Sequence, residues 1–263
     1  MRINSIQSKN YFNISKCNNK NITDKIKPVN YSIQNIIEGM TGLNIKNCII
    51  DSGEPQHKDI KVRNNMKVEG ENVSFCDENS CVYDKYGHST MISGIIKGRN
   101  KNSIIGVAPS SKLLYAKVVN DKGQCSFNSV VAAVLWAIVK NVDIITIALG
   151  TDYDYSVLHD AIRKARKNNI CIIAASGKKN TVQFPSEYNE VFSVDSFKDK
   201  KNDIVGRNGF YTTYLDNKYI KITGNSMLTA YYSGIAALLI EKYKKTIPKH
   251  EIVPLVYYNL KAI

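Results

Sequence analysis

The sequence predicts a single α/β domain built on a mostly parallel sheet covered by helices on both faces. Continuous apolar runs at 112–119, 142–149, 170–175 and 190–197, with a shorter one at 48–50, read as strands buried on both sides. Amphipathic helical patterns at 128–141 and 156–168 alternate with them, which is the order expected of strand–helix–strand units. The 263 residues carry no repeat and no low-complexity linker, so one large core suffices. Groups that act in such sheets collect beyond the carboxyl ends of the strands. Asp51, the Ala148-Leu149-Gly150 segment and the Ser176-Gly177-Lys178 turn all fall at those ends.

Taken in order, residues 1–24 are rich in Asn and Lys and are expected to form a flexible arm ahead of a domain spanning 25–263. A short helical pattern at 31–40, marked by Ile33, Ile36, Ile37 and Met40, is closed by Thr41-Gly42. Cys48-Ile49-Ile50-Asp51-Ser52-Gly53 reads as a strand ending in an acidic residue and a turn. Tyr86-Gly87-His88-Ser89-Thr90-Met91-Ile92-Ser93-Gly94 places a histidine at the start of a small-residue helix. Near the end, Thr223-Gly224-Asn225-Ser226-Met227 opens into an apolar run reaching Tyr243, so Ser226 lies at a helix N-terminus. Unpaired N–H groups and the positive end of the helix dipole suit a serine that generates an oxyanion there. An isolated serine in that place is more often a plain helix cap.

Lysine and arginine outnumber aspartate and glutamate by 36 to 23, a formal net charge of +13. Three readings remain open: a solvated basic surface, an acidic peptide partner, and nucleic acid, for which no basic and aromatic patch speaks. The N-terminus lacks the apolar core of a signal peptide, and no membrane-spanning run occurs, so a cytoplasmic protein without membrane contact is expected. The six cysteines, at 17, 48, 76, 81, 125 and 171, are then expected as thiols, with a Cys76–Cys81 loop disulfide as the alternative in an exported protein. Their spacing gives no zinc site.

Asp51, His88 and Ser226 in that order, within Asp-Ser-Gly, Gly-His-Ser-Thr and Gly-Asn-Ser-Met, make the chain resemble the subtilisin family of serine peptidases. The likeness extends to Gly106-Val107-Ala108-Pro109, Leu114-Tyr115-Ala116-Lys117-Val118, Val142-Asp143-Ile144-Ile145 and Ile173-Ala174-Ala175-Ser176-Gly177, and runs from about residue 25 onward. It implies a three-layer subtilisin-like fold. It also implies a serine endopeptidase with Ser226 as nucleophile, His88 as general base and Asp51 as the carboxylate that holds the imidazole. His57, His159 and His250 are expected at the surface, His57 in a structural role.

The sequence departs from the family where an asparagine supplies the oxyanion donor. Gly177 is followed here by Lys178, leaving Lys178, Asn180 or Asn225 as donor, or an impaired site that only binds peptides. The resemblance assigns Asp121, Lys122 and Gly123 to one substrate-pairing edge and Ala148, Leu149 and Gly150 to the facing one. Ala175, Ser176 and Gly177 line the cleft, and Gln183 stands where the family tends to have glycine in the S1 pocket, disfavouring a large apolar P1 residue. Lys122, Lys178 and Lys179 are expected either to make the cleft basic or simply to face solvent. The loop after Lys97, short and carrying Arg99 and Lys101, disfavours calcium, and no cofactor or metal is expected. No folding prosegment is recognisable. The resulting expectation is a monomeric, narrow-specificity intracellular peptidase of the kind that removes an acidic leader from a lanthipeptide precursor. A general intracellular subtilisin and a pseudoprotease are the rivals.

Overall fold

In a computed structural model the described residues are 37–60, 72–76, 81–100, 104–177, 182–195 and 209–262. The expected arm, most of the 31–40 helix, Lys178, Lys179 and Asn180 lie outside them.

The elements in chain order are β1 (Lys46–Asp51), β2 (Val73–Ser74), α1 (His88–Lys97), β3 (Arg99–Asn100), β4 (Ile104–Ile105), β5 (Lys112–Lys117) and α2 (Phe127–Val139). They continue as β6 (Ile144–Ile147), α3 (Ser156–Lys167), β7 (Cys171–Ala175), β8 (Phe192–Val194), β9 (Phe210–Thr213), β10 (Tyr219–Ile222), α4 (Asn225–Tyr243) and α5 (Lys249–Ala262). Six strands form one sheet in the order β2-β5-β1-β6-β7-β8, and every pairing in it is parallel. β1 therefore lies inside the sheet, with the later strands laid down on either side of it. This is the switch point at which parallel sheets open a crevice.

Side chains alternate across the sheet with a period of two. Ile49, Ile144 and Ile173 face a layer made by α1, α4 and α5, where Ile92, Ile96, Leu228, Ile235, Leu239 and Val256 are buried. Cys48, Ile50, Ile145, Ile147, Ile172 and Ala174 face α2 and α3, whose Val130, Ala133, Val134, Leu158 and Ile162 complete the second core. The α/β architecture with helices on both faces is thus as expected. Tyr231 and Tyr232 are core residues of α4, with rings 5.9 Å from Phe210 and 5.6 Å from Phe192 respectively.

Several boundaries are shorter than the apolar runs. The run at 112–119 ends as a strand at Lys117 because Val118 and Val119 both turn their N–H groups onto the Asp51 carbonyl, at 2.8 and 3.2 Å. The run at 142–149 is a strand only over Ile144–Ile147, since Val142 N bonds back to α2 and Ala148 leaves the ladder. Two antiparallel pairs, β3–β4 and β9–β10, are too short or too polar for the apolar pattern to announce.

Candidate active site

Asp51 is the last residue of β1, and His88 the first of α1. The His88 Nδ1 lies 2.9 and 2.8 Å from the two carboxylate oxygens of Asp51, with the residues only 4 % and 1 % exposed. An ionised carboxylate only accepts, so Nδ1 carries the proton and the second ring nitrogen, Nε2, is left basic. Ser52 adds its N–H (2.7 Å) and hydroxyl (3.0 Å) to Asp51 Oδ1, and that same hydroxyl accepts the N–H of Ser89 at 2.9 Å. Strand end and helix start are thereby tied together.

The histidine is aimed by a buried carboxylate that sequence reading missed. Asp84, 3 % exposed, accepts from the N–H groups of Tyr86 (3.0 Å), Gly87 (2.7 Å) and Thr90 (2.8 Å), and from the Thr90 hydroxyl (2.6 Å). Thr90 lies in the first turn of α1, and Tyr86 and the N-cap Gly87 lead into it. Gly87 holds φ 96°, and a β-carbon there would come within 2.7 Å of the Tyr214 ring, so conformation and space both demand glycine. Thr212 and Thr213 on β9 donate to the carbonyls of Met91 (2.6 Å) and Thr90 (2.7 Å), bracing the same turn. An Asp four residues ahead of a helix-starting histidine, with Thr two beyond it, was the available signal.

Ser226 follows Asn225 at the start of α4, after Gly224 at φ 139° and ψ 161°, a backbone region essentially restricted to glycine. The Ser226 hydroxyl donates to the Ala148 carbonyl at 3.0 Å. Ala148 directly follows β6, whose Ile147 is register partner to Ile50, so the serine stands one strand away from Asp51 at the same end of the sheet. The end of β1, the start of α1 tied to it and the start of α4 thus lie at one end of the sheet. The Asn225 amide is spent on β7's end, donating to Ser176 O (3.2 Å), Ser176 Oγ (3.1 Å) and Gly177 O (3.0 Å). It anchors Ser176 and Gly177 beside the serine.

The facing cleft residues assemble as well. Gln183 is buried at 4 % exposure, and a β-carbon on Gly150 would lie 2.9 Å from its Oε1, so its side chain rests on the Gly150 backbone. The antiparallel bridge between Thr151 and Phe184 holds the two together. Ala175 closes β7, and Ser176 N bonds Val194 O at 2.9 Å. Leu149 is half-buried against the α2 and α3 layer.

On the opposite edge, residues 119–125 form a turn closed by the antiparallel bridge between Val119 and Cys125. Lys122 is exposed and Gly123 packs under the Tyr86 ring. The Asp121 side chain is 45% exposed and meets the buried Lys117 with one oxygen. Its Oδ1 accepts from Lys117 Nζ at 2.8 Å, and Lys85 Nζ lies 3.5 Å from Oδ2. The bond from Lys117 is the first cause holding the Asp121 carboxyl below its ordinary range. Lys117 itself is fully buried and also donates to Ser52 O (3.0 Å) and Tyr83 O (2.9 Å). One ammonium thus clamps the turn after Asp51, the segment leading to His88 and the edge turn of the cleft.

His57 departs from the surface placement expected of it. It is 1 % exposed, its Nδ1 accepts Asp59 N–H at 3.2 Å and its Nε2 reaches Lys218 O at 3.2 Å, so the neutral ring pins the 57–59 turn to the segment before β10. Burial, foremost, pushes its pKa below the ordinary value. His159 is partly covered and bonds Glu190 at 3.0 Å, while His250 is exposed. Cys48, Cys76, Cys81, Cys125 and Cys171 are thiols, so Cys76 and Cys81 are not bridged. Among the described residues no group of three or more His, Cys, Asp or Glu side chains is placed to hold a metal ion, and no helix is long and apolar enough to cross a membrane.

Comparison with known proteins matches this arrangement. The model of the subtilase family covers residues 42–256. Subtilisin DY of Bacillus licheniformis is 32% identical over 226 residues, covering 78% of this chain and 80% of that protein. The major intracellular serine protease of Bacillus subtilis (strain 168) is 31% identical over 227 residues, 77% of this chain and 70% of that protein. The intracellular serine protease of Paenibacillus polymyxa is 28% identical over 242 residues, 83% and 73% of the two chains.

Proposed function

The chain belongs to the subtilase family and is a serine-type endopeptidase, and we propose that Ser226 is its nucleophile, His88 its general base and Asp51 the carboxylate that fixes the imidazole. The observation that carries this is the buried Asp51–His88 pair, whose two bonds of 2.8 and 2.9 Å fix the tautomer that leaves Nε2 basic. In the reaction the Ser226 hydroxyl hydrogen leaves the Ala148 carbonyl for Nε2 of His88 as Oγ attacks the peptide carbonyl. The imidazolium, held by Asp51, then returns that proton to the leaving amine, and a water deacylates the serine by the same route in reverse. The oxyanion forms at the start of α4, where the Met227 and Leu228 N–H groups bond the Gly224 carbonyl and the Ser226 N–H lies ahead of that ladder. Lys178 or Asn180 supplies the further donor in this proposal. Asn225 is the weaker candidate, because its amide is already bonded to residues 176 and 177.

For the substrate we propose a narrow class: peptides with acidic residues ahead of the cleaved bond and a P1 side chain that is not large and apolar, as in the acidic leader of a lanthipeptide precursor. The buried Gln183 against Gly150 supports a restricted, polar P1 pocket, and the net charge of +13 supports acidic partners. Peptides carrying Asp or Glu two to four residues before the cleaved bond should be processed faster than their Asn or Gln counterparts. The advantage should shrink as salt shortens the screening length below about 8 Å. Mapping products of a diverse peptide library by mass spectrometry tests both features, and indiscriminate cleavage after large apolar residues contradicts the proposal. That result is the one expected of the second reading, general intracellular proteolysis, which draws its support from the two relatives named as intracellular serine proteases.

A further inference from the structure

The two walls of the proposed P1 pocket are tied together twice, once through the backbone and once through side chains. Thr151 and Phe184 exchange backbone bonds of 3.0 and 2.8 Å, a single bridge that fixes the register of the walls and leaves each able to tilt about it. From Gln183 onward the chain closes on itself: Ser186 Oγ (2.7 Å) and the Glu187 N–H (3.1 Å) donate to the Gln183 carbonyl, and the Tyr188 N–H donates to that of Pro185 (3.1 Å). Whatever holds Tyr188 therefore holds Gln183. The Tyr188 hydroxyl donates to Asp154 Oδ1 at 2.8 Å, with the Tyr155 carbonyl at 3.3 Å. That carbonyl also accepts the N–H groups of Leu158 (2.9 Å) and His159 (3.1 Å), so the hydroxyl ends at the amino end of α3. His159 lays its ring on that of Tyr188, with centroids 3.9 Å apart and planes 3° apart, while its Nε2 lies 3.0 Å from Glu190 Oε2.

A buried tyrosine needs one partner for its hydroxyl, and a backbone carbonyl is the usual one. Here the nearer partner is the carboxylate of Asp154, an exposed residue four beyond Gly150 on the opposite wall, and a bond to an ionised acceptor is the stronger kind. Burial, then that bond, raises the pKa of the hydroxyl, which keeps it a donor. We infer that Tyr188, gripped by Asp154 and stacked on His159, is a positioning residue that keeps Gln183 against Gly150 and so excludes large apolar side chains from the P1 pocket. The inference rests on the restricted pocket proposed above. Tyr188 acts through Gln183 and not on the reacting atoms. With the grip lost, the turn from Gln183 to Tyr188 swings on the Thr151–Phe184 bridge, and the space that Gln183 fills opens to a larger side chain.

The test compares kcat/KM of the full chain, at matched folded fraction, on two peptides that differ only at P1, alanine in one and phenylalanine in the other. Tyr188→Phe keeps the stacked ring and loses the hydroxyl, and should shift the ratio toward phenylalanine by about 3–10-fold, chiefly by lowering KM for that peptide. Asp154→Ala, at an exposed position, should give the same shift, and Asp154→Asn, whose amide oxygen still accepts, should restore the wild-type ratio. A merely structural role would lower both peptides together and leave the ratio alone. Gln183→Gly should open the pocket furthest. Wild type that already prefers phenylalanine, or a Gln183→Gly variant that keeps the wild-type ratio, overturns the restricted pocket and the inference with it. A pocket opened by Gln183→Gly but unchanged by Tyr188→Phe and Asp154→Ala overturns the inference alone.

Discussion

Two lysines are buried near opposite ends of β5, under opposite conditions. At the catalytic end Lys117 is fully buried with three oxygen acceptors between 2.8 and 3.0 Å. At the other end Lys97, the last residue of α1, has no such acceptor among the described residues. The cost of removing an ammonium from water is therefore offset within the chain at Lys117, whereas the Lys97 ammonium stays within reach of solvent while its stem is covered. The contrast separates a cation that organises the site from one that only covers the end of α1 with its stem. Asp121 belongs with the first. Expected at the substrate edge, it also serves as counter-ion to Lys117, and so links the edge turn to the Asp51 turn.

Removing Lys117 should have the larger consequence. Lys117→Met leaves the carbonyls of Ser52 and Tyr83 without their donor and is expected to cost about 2–4 kcal/mol in urea unfolding. Turnover compared at matched folded fraction should fall too, because the turn holding Asp51 loses its clamp. An unchanged stability would erase the contrast between the two lysines. Asp84→Ala, which strips the cap from α1, is expected to cost about 1–2 kcal/mol and to lower kcat more than it raises KM. Lys97→Met, whose ammonium already reaches solvent, should change stability by less than about 0.5 kcal/mol.

The smallest effect is a pH dependence. The folded state holds His57 neutral with its pKa below the ordinary value of about 6.5. Its contribution to stability is therefore complete above that value and is lost as pH falls through the lowered folded pKa. Chemical unfolding midpoints of wild type should decline across this range more than those of His57→Gln, and parallel curves would remove His57 from the account.

Much of the site could be read from sequence because its parts are local signals. Asp51 ends an apolar run, His88 follows a glycine at a helix start, and Ser226 opens a long apolar helix. The remainder depends on contacts across the chain. The strand pattern at 112–119 gives no reason to bury Lys117, whose acceptors come from residues 52, 83 and 121. The bond between Asp121 and that ammonium follows from the burial. His57 is buried only because the segment before β10 returns to it from about 160 residues later in the chain. Strand ends were overestimated for the same reason: apolar content continues beyond the ladder where Val118 and Val119 wrap the Asp51 carbonyl.

The central claim is that Ser226 is activated by His88. Purified wild-type protein treated with a fluorophosphonate probe and digested for mass spectrometry tests it most directly. One adduct is predicted, on Ser226. Ser226→Ala should stay folded without labelling, and His88→Ala should label at least about 10²-fold more slowly, as loss of a positioned base requires. Folded wild type that takes up no probe, or takes it up at another residue, would contradict the assignment.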